Sequence, residues 1–225
     1  MSTKRNLRGL ALERYKQTLK LNDQQREVLI GTLLGDASMS LRKGKPHYSV
    51  KFEQKSARQS YINHLYEIFE PFVGASPLPR YIASDTNISG ENLEPKIKSY
   101  WFRTYEHKSL IFYYNYFYKI KNGKKVKIVP KTIHKFLTAR ALAYWFMDDG
   151  TFNFNGNKKS YLFSTQGFEK FECERLCEAL QVNFNISAVV HKDKNKWRIY
   201  ILAKSSDLFK TLVKPYIHSD FYYKL

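Results

Sequence analysis

The sequence predicts an α+β fold assembled from two copies of one αββαββα unit, and three observations predict it. Two apolar helical runs each stop on a carboxylate, LIGTLLGDA at 29–37 and TARALAYWFMDDG at 138–150. The same succession of strand and helix patterns follows each run. Corresponding landmarks also keep their spacing: the interval from Asp36 to Asp149 and that from Gln54 to Gln166 differ by one residue. Duplication explains both intervals, whereas unrelated turns have no reason to agree.

The elements follow in order. Residues 1–21 form a basic arm or short helix, with Leu7, Leu10 and Ala11 on one face and Arg5, Arg8, Arg14 and Lys16 on others; a solvated tail is the alternative. Asn22 reads as an N-cap, and Gln25 completes a capping box for a helix that ends on Asp36. A hairpin follows, Ser38 to Arg42 and His47 to Gln54, then an amphipathic helix over 56–72. Strands at 78–84 and 98–104 and a helix from His107 to Lys119 close the first half, 22–120. A basic stretch, 121–137, reads as a solvated linker punctuated by Gly123 and Pro130. The second half, 138–225, repeats the order. Thr138 caps its first helix and Gly150 suits a left-handed residue after it. Strands at 152–154 and 161–166, a helix at 167–181, strands at 186–191 and 197–203 and a helix at 206–216 complete it.

Composition narrows the function. The chain has 225 residues, with 38 Lys and Arg against 20 Asp and Glu, a net charge of +18. Such a surplus implies a polyanionic partner, with nucleic acid leading. Aromatic residues at 16 % argue against a disordered basic tail. Cys173 and Cys177 lack Cys or His companions at metal spacing and read as reduced thiols, so a disulfide-stapled secreted module is not expected. No stretch approaches the ~18 apolar residues of a membrane span, and the N-terminus lacks the apolar segment of a signal peptide.

The acids carry the chemistry. A helix C-terminus bears about half a negative charge, so carboxylates at Asp36, Asp148 and Asp149 are disfavoured by roughly 0.3–1 kcal/mol each. Something has to compensate, and a divalent cation held by oxygen ligands is one candidate. A solvated Asp-Asp-Gly turn is the other reading.

LIGTLLGDA and LAYWFMDDG, together with the closing YYKL, resemble the motifs of the LAGLIDADG homing endonucleases, in the single-chain branch that carries two motifs. The resemblance runs from about Asn22 to Leu225. It implies two halves whose motif helices form the central interface and whose antiparallel sheets make a saddle over double-stranded DNA, bound by a monomer. It implies a catalytic acid at Asp36 and at Asp149, lysines at Lys127 and Lys224, and water-positioning residues at Gln54 and Gln166. Gly35 and Asp148 join the two acids as metal contacts. The implied cofactor is Mg2+, with Mn2+ as a substitute and Ca2+ supporting binding only. An intron-encoded protein of this branch belongs in a chloroplast or mitochondrion. The sequence departs from the pattern at Ala37, where a glycine is usual, and at Tyr144 and Asp148, which replace small residues at the positions matching Gly31 and Gly35.

With the resemblance, the expected activity is hydrolysis of one phosphodiester on each strand of a long asymmetric target. The sheets would read the major groove, with Arg42, Lys43, Tyr48 and Lys51 as candidates in the first half and Lys192, Lys194, Trp197 and Arg198 in the second. A non-catalytic binder on the same fold, an intron-RNA maturase or a DNA regulator, is the competing reading. Such a protein could lose an acid freely, and this chain keeps both.

Overall fold

The computed structural model describes residues 7–42, 44, 46–82, 95–155 and 158–225. They form two compact units. One combines the described residues up to Leu21 with Ala37–Ile111, and the other joins Asn22–Asp36 to Phe112–Leu225. The first motif helix therefore packs in the same unit as the second motif helix, while the strands that follow it belong elsewhere.

In the first unit, α1 (Gly9–Thr18) gives helical form to the described part of the N-terminal arm. It is tied down: Tyr15 Oη donates to Pro71 O (3.1 Å), and His107 Nε2 lies 2.9 Å from Lys16 O. The sheet contains β1 (Ser38–Leu41), β2 (Tyr48–Lys55), β3 (Leu78–Tyr81) and β4 (Ile97–Arg103), antiparallel in the order β1-β2-β4-β3. The expected strand at 78–84 stops at Tyr81, and Ala83 and Ser84 lie outside the described residues. Helix α3 (Gln59–Phe69) places Tyr61, Ile62, Leu65 and Phe69 on one apolar stripe. That stripe covers the sheet face bearing Met39, Val50, Phe52 and Phe102, with the Phe52 ring 4.9 Å from Phe69 and 4.8 Å from Phe102.

The second unit repeats this plan. Its sheet, β7 (Gly150–Asn155), β8 (Lys158–Phe163), β9 (Ala188–Asp193) and β10 (Lys196–Ile201), has the equivalent order β7-β8-β10-β9. Helix α6 (Lys170–Phe184) carries the two cysteines, both free, and packs on β9 and β10; α7 (Ser206–Val213) sends Phe209 beneath β8. Helix α4 (Ile111–Phe117) is shorter than expected, because the chain turns into a strand at Tyr118. No described helix is long and apolar enough to cross a membrane.

The stretch expected to be a linker is built structure. Strands β5 (Tyr118–Lys121) and β6 (Lys124–Lys127) pair antiparallel around Asn122 and Gly123, both with positive φ (50° and 70°). Positive φ at both central residues is the two-residue hairpin geometry for which Asn-Gly is preferred. Beyond it Ile128, Val129, Ile133 and Leu137 are buried, so 128–137 anchors into the core while Lys131, His134 and Lys135 stay exposed.

At the centre of the second unit α2 (Asp23–Leu34) lies against α5 (Ala139–Asp149). The Asn22/Gln25 capping box and the Thr138 cap are both formed. Val28 to Leu34 and Ala141 to Met147 are continuously buried. On α5, Trp145 stacks on Phe163 (3.9 Å) and Phe146 meets Phe209 (5.0 Å), so this side of the helix faces the sheet. The other side faces α2 at glycine distance. A Cβ on Gly31 would stand 2.2 Å from Ala141 O and 2.9 Å from Tyr144 Cβ, and one on Gly35 would stand 2.5 Å from Asp148 Cβ. The larger residues of the second motif are thus received by glycines of the first, and the contact stays close. Gly31→Ala places its methyl against backbone that cannot swing away. It is expected to cost about 3 kcal/mol, lowering the melting temperature by roughly 6–12 °C in thermal unfolding followed by circular dichroism.

Gly150 is not left-handed. It has φ −81° and ψ 152° and begins β7 directly. Glycine is required there by space, because a Cβ would lie 1.9 Å from the Phe146 ring and 2.5 Å from Phe146 O.

Candidate active site

The paired helices end together. Helix α2 stops at Leu34, with Gly35 closing on Gly31 O (3.1 Å) and Asp36 exposed beyond it. Helix α5 continues through Asp149, which is only partly accessible. Asp148 reaches across: its Oδ2 accepts the backbone N–H of Asp36 at 3.1 Å.

A cation sits at each helix end. Lys127, the last residue of β6, donates from Nζ to Gly35 O at 2.8 Å. Lys224 is 5 % exposed, and its Nζ donates to Gly150 O (2.6 Å), Met147 O (2.8 Å) and, more weakly, Phe146 O (3.4 Å). Each ammonium satisfies carbonyls that the helix leaves unpaired and offsets the negative end of the dipole. The lysines therefore supply part of the compensation that the acids require.

The electrostatics are those of an anionic site not fully neutralised. Burial first, and the neighbouring Asp36 second, push Asp149 up to about 7, against the opposing pull of Lys127 and Lys224. Burial lowers the pKa of Lys127, and Asp149, Asp148 and Asp36 each resist that fall. Two carboxylates meeting at adjoining helix ends, Asp149 partly buried and Asp36 exposed, form an oxygen donor set that suits a hard divalent cation. Among the described residues no group of three or more His, Cys, Asp or Glu is arranged as a metal site. An ion held by two carboxylates would take its remaining ligands from water and phosphate oxygens.

Gln166 falls three residues after β8 ends and donates from Nε2 to Asp193 Oδ2 (3.3 Å). Gln54 lies within β2 of the first unit, on the α3 side of the sheet, 5 % exposed. The neighbour missed from sequence is Ser164, exposed, whose N–H donates to Asp149 O at 2.9 Å. The position directly across the ladder from an acid is the signal that identifies it.

Strand register sorts the basic candidates. In the first unit Lys51 pairs with Arg103 and Glu53 with Trp101, on the face opposite Val50, Phe52 and Phe102. Lys51 is salt-bridged to Glu53, Arg80 joins Glu53 at 3.2 Å, and Arg103 Nη1 donates to Ser40 Oγ (2.5 Å) and Ser49 Oγ (3.2 Å). Arg80, Trp101 and Arg103 were not singled out from sequence and share this face with Lys51. Tyr48 has the parity of the α3 side, Arg42 is paired with Glu106, and Lys43 lies outside the described residues. In the second unit Arg198 pairs with His191 and Tyr200 with Val189, on the face away from the core, and Arg198 contacts Asp193 at 2.9 Å. Trp197 and Lys192 pair on the opposite face, with Ile199 and Ile201; Lys194 is a turn residue with φ 54°. The seven described candidates therefore do not form two matching reading surfaces.

Comparison with known proteins agrees with this architecture. A probable intron-encoded endonuclease 1 of Wickerhamomyces canadensis is 37 % identical over 213 residues, covering 93 % of this chain and 87 % of the relative. The cytochrome b mRNA maturase bI2 of Debaryomyces hansenii is 31 % identical, covering 91 % and 74 % respectively. The solved structure of the homing endonuclease I-WcaI bound to its DNA recognition sequence matches with a TM-score of 0.82 at 34 % identity, covering 98 % of this chain and 95 % of that one. The model of the LAGLIDADG DNA endonuclease family matches residues 26–209, and the chain belongs to that family.

Proposed function

We propose that this protein is a site-specific double-strand DNA endonuclease that acts as a monomer, with Asp36 serving one strand and Asp149 the other. The observation that carries this reading is the meeting of two carboxylates at adjoining helix ends, where burial first and the neighbouring Asp36 second push Asp149 up to about 7. Mg2+ held by the two acids would neutralise charge on the scissile phosphates and lower the pKa of a coordinated water. Asp36 and Asp149 fix the ion's place. Lys127 adds a positive charge beside the anion that develops on the phosphate, and Lys224 holds the end of α5 that carries Asp149. The exposed sheet faces, with Lys51, Trp101 and Arg103 in one unit and Arg198 and Tyr200 in the other, supply the contacts to bases and backbone. The likeness to intron-encoded relatives supports an intron origin and an organellar place of work.

Incubation with a randomised duplex library and Mg2+, followed by sequencing of the cut ends, tests the reading. A single asymmetric consensus cut on both strands is expected, with Mn2+ replacing Mg2+ and Ca2+ supporting binding alone. On the identified target, six neutralised phosphates would give a slope of about −5 for log K against log salt. Binding titrations from 50 to 300 mM KCl check this, and a flat response would mean that the +18 charge does not face the backbone. The likeness to an mRNA maturase supports a second reading, in which intron RNA is the ligand. On that reading Asp149→Asn leaves every function intact.

A further inference from the structure

The peptide unit joining Gly35 to Asp36 is gripped at both ends. Its carbonyl accepts from Lys127 Nζ at 2.8 Å, and its N–H donates to Asp148 Oδ2 at 3.1 Å. In the second motif Lys224 holds main-chain carbonyls in a similar way, but among the described residues no carboxylate is seen to take the N–H of Asp149. There the helix runs through Asp149, whose N–H lies inside the α-helical ladder, whereas Asp36 stands two residues beyond the end of α2, with its N–H outside the helix. Gly35 makes the grip possible, since any Cβ on it would fall 2.5–2.6 Å from Asp148 Cβ and Oδ2. An orphan N–H beside a catalytic carboxylate leaves the peptide plane free to rotate, and the carboxylate moves with it.

We propose that Asp148 is a positioning residue for Asp36: its side chain acts as a hydrogen-bond acceptor that fixes the Gly35–Asp36 peptide, and not as a ligand of the metal. The inference rests on the endonuclease reading for its effect on catalysis. Its consequence is asymmetric. Losing the strap disturbs the strand served by Asp36 and spares the strand served by Asp149. Asp148 also bears on Lys127 through its charge, but Asp148→Asn and Asp148→Ala remove that charge alike, and only Asn keeps an oxygen that can accept the Asp36 N–H.

The experiment follows cleavage of an end-labelled duplex strand by strand. Asp148→Ala should slow the same strand that Asp36→Asn slows, by about 10- to 100-fold relative to the other, so that nicked duplex accumulates. Asp148→Asn should recover at least about tenfold of that loss. In the protein alone, amide hydrogen exchange at Asp36 should quicken in Asp148→Ala and stay slow in Asp148→Asn. Equal impairment by Asn and Ala would show that the carboxylate charge matters and overturn the proposal. So would unchanged Asp36 exchange in Asp148→Ala. If the wild-type protein cuts no duplex, the endonuclease reading fails, and the exchange measurement still decides whether Asp148 holds Asp36.

Discussion

Replacing Asp36 or Asp149 with Asn is expected to lower double-strand cleavage by at least about 100-fold while leaving DNA binding in Ca2+ near the wild-type level. Asn keeps the shape of the side chain, so the helix contact between α2 and α5 is undisturbed. It removes one of the two acids assigned to the ion; Asp148 is also near, but among the described residues no three of His, Cys, Asp and Glu are arranged to hold a metal. The remaining carboxylate cannot fix an ion whose other positions are filled by water and phosphate. Protons compete for the same oxygens, and Asp149 sits at about 7. At Mg2+ below saturation, wild-type cleavage should therefore rise as pH passes from 6 to 8, with the metal displacing the proton more readily at each step. Single-turnover rates on the selected target measure both effects. Wild-type cleavage by Asp149→Asn in Mg2+ would falsify the assignment and leave the RNA-binding reading in its place.

Much of this arrangement is legible in the sequence where the cause is local. Asn22 with Gln25 and Thr138 with Ala141 form their caps because the partners are a few residues apart. The repeat is legible because each acid-ended helix precedes the same pattern. The errors have physical causes. The run of lysines from 119 to 127 conceals the Asn122-Gly123 signal, since a charge run reads as solvated chain while the turn dipeptide reads as a hairpin. Gly150 follows a helix, where a left-handed residue is common, but what selects glycine is the Phe146 ring. Trp197 is a reading-face candidate in the sequence, but its parity with Ile199 and Ile201 assigns it to the other side. The bond from Asp148 to Asp36 joins residues far apart in the chain, and no local rule announces it. The glycines at 31 and 35 were visible, but their purpose depends on what stands opposite them, Tyr144 and Asp148.

Without divalent metal, the protein is expected to lose stability as pH rises from about 4 to 7, and Asp149→Asn is expected to abolish most of that loss. In the unfolded chain Asp149 titrates near 3.8, and in the fold it titrates at about 7. Between those values the native state binds a proton that the unfolded state has released, so the stability from this site is fully present below the lower value and declines as pH rises through the higher one. Three pH units correspond to at most about 4 kcal/mol, and relaxation around a partly accessible carboxylate reduces this. At pH 5 the native Asp149 is neutral but the unfolded chain has already released its proton, so the gap between the Asn variant and the wild type should be open by only about a third of its full size. At pH 8 wild-type Asp149 is charged against Asp36 and the helix end, and the variant should melt several degrees higher, at roughly 2–4 °C per kcal/mol for a chain of this size. Millimolar Mg2+ should raise the wild-type melting temperature at pH 8 and leave the variant nearly unmoved, since the ion neutralises the charge that the substitution removes. Calorimetry at pH 5 and 8, with EDTA and with Mg2+, separates these contributions. A gap between the proteins that stays constant with pH would show that burial beside Asp36 does not hold a proton on Asp149.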